Sequence, residues 1–380
     1  MKPRLSCIRI FYGYHLFCQR IVKKGCDIGK MANSDNTAAV LHSANDLRME
    51  SIGVPEPTDT DVLISMGSVG ICGSDIKYWA LGKCGKFVVK EPMVLGHEAS
   101  GVIVGVGSKV THLKEGDRVA IEPGVPCRSC NLCKKGRYNL CPDVEFCATP
   151  PIDGNLCRLY KHPADFCFKL PDHVSLDEGA MLEPLSVAVY SCKRGEIDLG
   201  STVLVCGAGP IGLLTMMVAK NAGATNVMIT DIDEHRLNFA KKMGADHIFK
   251  IVDKDGDVVA RKVRSILGEP DVTLDCSGVD SSFILGIQVT RPGGKVVRVG
   301  GGSLKVELPL TRLNSNEVDL LGIFRYANCY PIALDLIASG ALDVKPLISH
   351  HFTLLETEKA FLTASDRNSQ SIKVIIHCDQ

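Results

Sequence analysis

Two hydrophobic rhythms divide the chain. From about residue 37 to 160, short apolar runs at 62–66, 101–106 and 118–121 alternate with Gly, Pro and Asp. That punctuation predicts strands joined by turns. From residue 201 onward, compact apolar runs at 203–206, 226–230, 247–249, 272–275, 295–299 and 318–323 alternate with longer stretches, of which 211–222 and 234–243 are helical in pattern. Continuous apolar strands alternating with helices mean a parallel sheet covered on both faces. Six such strands predict a complete doubly wound dinucleotide-binding fold. Two further helical stretches, 332–339 and 356–365, and a last strand, 372–376, are too little for a third domain. They are expected to return to the first. The expected division is therefore an extension at 1–30, a mostly β catalytic domain at 31–185, a Rossmann domain at 186–325 and a return segment at 326–380.

Composition narrows the function. Lys+Arg and Asp+Glu are both 43, so the net charge is zero. A balanced chain has no bulk attraction to nucleic acid or to an anionic membrane. No run of 18 apolar residues occurs, so no membrane span is expected. Residues 1–30 differ from the rest, with seven basic residues and one acid, Asp27. They fit an optional or disordered extension before Met31. A mitochondrial transit peptide is the lesser reading, since Ser and Arg are sparse there. The 17 cysteines do not suit a small disulfide scaffold. Thiols kept free for metal point to a reducing, cytoplasmic location.

Three motifs carry chemistry. Gly207-Ala-Gly209-Pro-Ile211-Gly212 follows a predicted strand and opens a predicted helix. That context turns a weak G-x-G-x-x-G into a dinucleotide site, with the pyrophosphate on the helix N-terminus. Asp231 follows Gly212 by 19 residues, where a carboxylate accepts from both ribose hydroxyls and repels a 2′-phosphate. NAD is expected over NADP, although Arg236 could serve a phosphate. Capping of the next helix is the plainer role for Asp231, and a methyltransferase is the rival use of the same turn. Cys127-x2-Cys130-x2-Cys133-x7-Cys141 can close a tetrahedron around Zn²⁺ with no open position, which is a structural site. Cys72, His97 and Glu98 supply a thiolate, an imidazole and a carboxylate, leaving a fourth position open as catalysis needs. A buried Cys and a hydrogen-bonded His are the bland alternative, because 25 residues separate Cys72 from His97.

Gly96-His-Glu98-x2-Gly101-x5-Gly107-x2-Val110 resembles the signature of zinc-containing medium-chain dehydrogenases, a GroES-like and Rossmann family. Gly70-Ile-Cys-Gly-Ser-Asp75, Phe146-Cys-Ala-Thr-Pro-Pro151, Glu183-Pro-Leu-Ser186 and Phe324-Arg-Tyr326 are similar to its sorbitol dehydrogenase branch. The resemblance runs from about Thr37 to Ile376. It implies that Cys72, His97 and Glu98 bind a catalytic zinc and that Ser74 takes part in proton transfer. Glu183 matches a carboxylate that contacts the metal directly or through its water. Tyr78, Phe146, Thr149, Arg325 and Tyr326 match residues near the polyol. Ile211, Asp231, Arg236, Val299, Gly300, Gly301, Ile323 and Phe324 match cofactor contacts, with Arg325 close by.

Two departures stand out. Some sorbitol dehydrogenases, mammalian ones included, lack the four-Cys lobe, whereas this chain keeps it, as invertebrate or microbial types do. The position five after Cys72 is Lys77, where the wider family often carries a proton-relaying His. The implied enzyme holds two Zn²⁺ per chain and oxidises a polyol to a ketose with NAD, sorbitol to fructose above all. Xylitol or another polyol, threonine, a general alcohol, and a silent crystallin-like role are the alternatives. The resemblance also implies a homotetramer joined through edge strands, for which 296–299 and 318–323 are apolar enough, although that pattern also suits buried strands.

Overall fold

A computed structural model describes residues 36–303 and 305–379. The expectations for residues 1–30 lie outside the described residues. The first unit is a seven-stranded sheet. Along its path, Cys167–Lys169, Arg118–Ile121, Glu98–Val106, Asp61–Gly70, Lys373–His377 and Ile348–Thr353 lie side by side, with Leu159–Pro163 also paired to Asp61–Gly70. Its central strands Asp61–Gly70 and Lys373–His377 are buried along nearly their whole length, as strands covered on both faces are, whereas the edge strand Ile348–Thr353 alternates. The C-terminal strand Lys373–His377 enters between Asp61–Gly70 and the edge strand, which places the return segment inside the first unit. The strand Ile348–Thr353 did not stand out in the sequence, because two histidines interrupt its apolar positions.

The second unit is a six-stranded parallel sheet. Its order is His247–Lys250, Asn226–Asp231, Thr202–Cys206, Val272–Asp275, Lys295–Arg298, Asp319–Gly322. Read from the first strand in sequence, that is the 3-2-1-4-5-6 order of a doubly wound nucleotide fold. All six apolar runs became strands, each within two residues of the expected bounds. Lys295–Arg298 lies inside the sheet, paired on both sides, so it has no free edge to offer a partner. Only Asp319–Gly322 lies at that end.

The helix Leu182–Gly195 connects the two units. Its first turn carries Glu183, and its body packs on helix Pro210–Asn221 of the nucleotide fold. One buried apolar cluster runs from Leu170, Met181 and Leu185 through Val205 and Leu213 to Tyr330 and Ile337. The expected boundary at 185/186 therefore falls inside a helix. Tyr330 opens helix Tyr330–Ala338 and is fully buried. Its hydroxyl donates to the Ile121 carbonyl at 2.6 Å, tying the return segment to a strand of the first sheet. Tyr330→Phe keeps the ring and removes that bond. The expected loss is about 1 kcal/mol, read as a lower denaturant midpoint at unchanged metal content. An unchanged midpoint would mean the bond contributes nothing.

Candidate active site

The metal-ligand candidates sit where three turns of chain meet. Cys72 caps the helix Gly73–Leu81, which follows directly on the strand Asp61–Gly70. Glu98 opens the neighbouring strand Glu98–Val106, with His97 just before it. Buried Asp75 fastens the two arms. Its Oδ2 accepts from the Cys72 backbone N–H at 3.0 Å. Its Oδ1 accepts from the Gly96 N–H at 3.4 Å and lies 3.3 Å from His97 Nδ1. Gly96 takes φ +91°, a conformation that side chains disfavour, and so turns the chain into His97.

Cys72, His97 and Glu98 each bring one ligand atom within 4.8 Å of the other two. Sulfur, imidazole and carboxylate together are a donor set that Zn²⁺ accepts, and three ligands leave a position open. His97 Nδ1 is turned to Asp75, which leaves its Nε2, on the Ser74 side, as the nitrogen for a metal. The buried Tyr326 hydroxyl, beside Glu183, makes no well-aligned hydrogen bond among the described residues and so suits a polar ligand. Glu183 does not join the three donors. It is buried nearby, and burial pushes its carboxyl up to about 7, with His97 pulling it down and Glu98 pushing it further up.

Lys373 was not foreseen. Its ammonium lies 2.5 Å from Glu98 Oε2 and donates to the Ile71 carbonyl at 3.1 Å, and both charged side chains are almost wholly buried. Burial works against the Lys373 charge, but Glu98 outweighs it and holds its pKa above the ordinary lysine value. A lone lysine in the apolar run Ile372–Ile376 was the available signal, since a buried charge requires a partner. Gly70 makes the pairing possible. A Cβ there would stand 2.3 Å from Glu98 Oε2.

The polyol candidates converge as well. The Arg325 guanidinium stacks 3.6 Å from the Phe146 ring and donates to Thr149 Oγ1 at 3.0 Å. Phe146 packs on His97, with ring centroids 5.8 Å apart. Burial raises the Tyr78 hydroxyl to about 12, with Thr149 and Arg325 opposing the rise. Tyr326 is buried within electrostatic reach of Glu183. Ser74 Oγ stands 3.4 Å from His97 Nε2. Three further residues, absent from the sequence reading, support this wall. Asn139 donates to the Phe324 carbonyl at 2.8 Å, Tyr138 accepts from the Asn328 N–H at 2.8 Å, and Asn328 donates to the Gly136 carbonyl.

Tyr138 and Asn139 belong to the four-Cys lobe, and Asn328 reaches it from the return segment. The lobe's four sulfur atoms lie within 4.8 Å of one another. Cys130 and Cys133 Sγ are 3.5 Å apart, and Cys127 and Cys133 Sγ are 3.9 Å apart. Sulfurs about 2.3 Å from a tetrahedral Zn²⁺ are roughly 3.8 Å apart, so this set fits the ion with little movement. Backbone N–H groups of Cys130 and Cys133 already point at sulfurs, the pattern that stabilises thiolates.

The Gly-rich turn is shaped for a pyrophosphate. Gly207 takes φ +97°, and a Cβ on Gly212 would stand 1.8 Å from the Gly207 carbonyl oxygen. Over Gly209 the space is open, with Arg236 Nη1 3.8 Å from the nearest point a Cβ would occupy. Asp231 ends its strand and accepts from the Ala208 N–H at 2.6 Å. Helix Glu234–Lys242 is capped by Asp233 rather than Asp231. Ile211 lies in the first turn of helix Pro210–Asn221. Val299 and Gly300 both donate to the Asp275 carbonyl, and Lys77 Nζ is 4.0 Å from where a Gly301 Cβ would be. Ile323 donates to the Arg298 carbonyl, and exposed Phe324 stacks on Arg325.

Residues 58–172 match the alcohol dehydrogenase GroES-like domain, and residues 210–339 match the zinc-binding dehydrogenase family. Fold and site thus define a zinc-binding dehydrogenase. A sorbitol dehydrogenase of Mus musculus is 52% identical over 349 residues, covering 92% of this chain and 97% of the relative. One of Homo sapiens is 51% identical over the same shares. The chain belongs to the sorbitol dehydrogenase family. The solved structure of L-idonate 5-dehydrogenase from Escherichia coli is 30% identical, with TM-score 0.84, covering 90% of this chain and 98% of that one.

The Lys373–Glu98 pair generates a stability prediction. Removing one member of a buried ion pair costs about 3–5 kcal/mol, because the other charge stays buried alone. Lys373→Met should therefore lower the denaturation midpoint of the metal-stripped chain strongly. Adding Glu98→Gln should recover part of the loss. Additive losses in the double variant would mean that the two charges do not depend on each other.

Proposed function

We propose that the chain reversibly oxidises a polyol to a ketose with NAD, sorbitol to fructose being the leading reaction. The observation that carries this reading is the convergence of Cys72, His97 and Glu98 within 4.8 Å beside the polar wall of Thr149, Arg325 and Tyr326. Cys72, His97 and Glu98 hold one Zn²⁺, and Cys127, Cys130, Cys133 and Cys141 hold a second. When bound, the catalytic ion supplies a Lewis acid that acidifies a hydroxyl, and NAD supplies the hydride acceptor.

The side chains supply position and proton handling. Ser74 Oγ, beside His97, would relay the departing hydroxyl proton, giving its own proton on to water as it accepts one. Glu183, with its carboxyl raised to about 7 by burial, is poised to hold a proton near neutral pH. Arg325, Thr149, Tyr326 and Tyr78 hydrogen-bond the remaining hydroxyls, and Phe146 closes the floor. A pocket with such partners rejects analogues lacking the hydroxyls, because its own polar groups are then left unpaired. Each Asp231 oxygen accepts one backbone N–H, from Ala208 and from Asp233, and keeps a further lone pair for a ribose hydroxyl. Its charge disfavours a 2′-phosphate, and Arg236 moderates that preference.

We also infer a homotetramer joined in part through Asp319–Gly322, and a cytoplasmic location. All 14 described cysteines are free, as a reducing compartment requires. No helix among the described residues is long and apolar enough to cross a membrane.

Two variants test the assignment. Cys72→Ser should reduce zinc from two ions per chain to one and abolish polyol oxidation, while circular dichroism stays unchanged. Full turnover in the zinc-depleted variant would overturn the catalytic role. Asp231→Ala removes charge-assisted bonds worth about 1.5–3 kcal/mol, so the NAD Kd should rise roughly 10–100-fold. NADP should lose less than NAD. An unchanged NAD:NADP ratio would remove Asp231 from cofactor selection.

A further inference from the structure

A third group of ligating side chains lies at the open end of the seven-stranded sheet, and none of the chemistry above uses it. His351 is on the edge strand Ile348–Thr353, and His377 ends the adjacent strand Lys373–His377. The strands run parallel with Thr353 opposite His377, so the alternation of side chains puts both imidazoles on one face. Their ring centroids are 5.1 Å apart. Ser68, opposite His377 on the other side, shares that face. Asp177 reaches in from the short helix Leu176–Ala180. Its Oδ1 accepts from Ser68 Oγ at 2.6 Å and lies 3.0 Å from His377 Nε2, while its Oδ2 lies 3.7 Å from His351 Nδ1.

One ligand atom from each of Asp177, His351 and His377 falls within 4.8 Å of the other two. Nitrogen and oxygen ligands about 2.0–2.2 Å from a tetrahedral Zn²⁺ stand roughly 3.3–3.5 Å from one another. His377 Nε2 stands 3.0 Å from Oδ1 and His351 Nδ1 stands 3.7 Å from Oδ2, each within about half an ångström of that value, so the carboxylate faces both rings and can close the set through either oxygen. Ser68 holds the carboxylate by the same oxygen that faces His377, and such supporting hydrogen bonds orient ligands at metal sites. A simple ion pair would need only one histidine. Here a second imidazole, half exposed and free to turn to water, faces the same carboxylate instead.

We propose that Asp177, His351 and His377 form a third metal site, for a borderline divalent ion of the Zn²⁺ or Ni²⁺ type. The ion ties the edge strand, the C-terminal strand and the helix Leu176–Ala180 together. Three protein ligands leave at least one coordination position facing solvent, since His351 is 47% exposed. The site is open to exchange with the medium, unlike the closed four-Cys set.

Equilibrium dialysis of the full-length, zinc-loaded protein against micromolar Zn²⁺ tests the proposal. The wild type should take up one ion per chain beyond those of the catalytic and four-Cys sites. His351→Gln and His377→Gln should each weaken that uptake by more than the roughly 10–100-fold that loss of a mere supporting partner costs. Both variants should keep the other ions and full dehydrogenase activity. His351→Gln changes a half-exposed side chain, so its folding is not at stake. Wild-type uptake that stops at the other ions, or equal uptake by His351→Gln, would overturn the third site.

Discussion

A single buried carboxylate sets the distance between the two arms of the catalytic centre. Asp75 accepts from the backbone of Cys72 with one oxygen, and from the backbone of Gly96 with the other, which also faces His97. Buried hydrogen bonds to a charged acceptor are among the stronger ones in a protein, and leaving such an acceptor unmet is costly. The helix after Cys72 and the turn before His97 are therefore not free to drift apart. Because Asp75 lies in the first turn of that helix, it also faces the favourable end of the helix dipole. Ligand geometry follows from backbone bonds rather than from the ligands' own reach.

Charge balance around Glu98 depends on the far end of the chain. Lys373 belongs to the last strand, yet its ammonium enters the same buried volume as Glu98 and Glu183. The pairing requires strand Lys373–His377 to lie against Asp61–Gly70, and requires no side chain at Gly70. Two carboxylates beside a site meant for a dication would repel each other without it. The return segment is thus part of the active-site electrostatics as well as a strand of the sheet.

Much of this organisation was legible in the sequence because it rests on local pattern. Six apolar runs specified the parallel sheet, and the glycines at 207, 209 and 212 stood between its first strand and the helix that follows, where a tight turn needs them. Cysteine spacing disclosed the 127–141 lobe, since its ligands are close in sequence. What was not legible is long-range pairing. Asp75 was visible as part of a motif, but its grip on Gly96 depends on two strands lying side by side. Lys373 and Glu98 are separated by 275 positions. Tyr138, Asn139 and Asn328 carry no chemical signature and matter only through contacts. The interior place of Lys295–Arg298 was hidden because an apolar strand looks alike at the centre and at the edge of a sheet.

Arg325 sits at φ +53°, in a left-handed turn that a side chain adopts only under constraint. The four-Cys lobe bonds the chain before and after that turn: Asn139 donates to the Phe324 carbonyl, Tyr138 accepts from the Asn328 N–H, and the Gly136 carbonyl accepts from the Asn328 amide. The lobe therefore acts as a buttress for the turn that carries Arg325. A lineage that discards the four cysteines must rebuild this brace from other side chains. In this chain the posture of Arg325 and the lobe that carries the four cysteines are one inheritance.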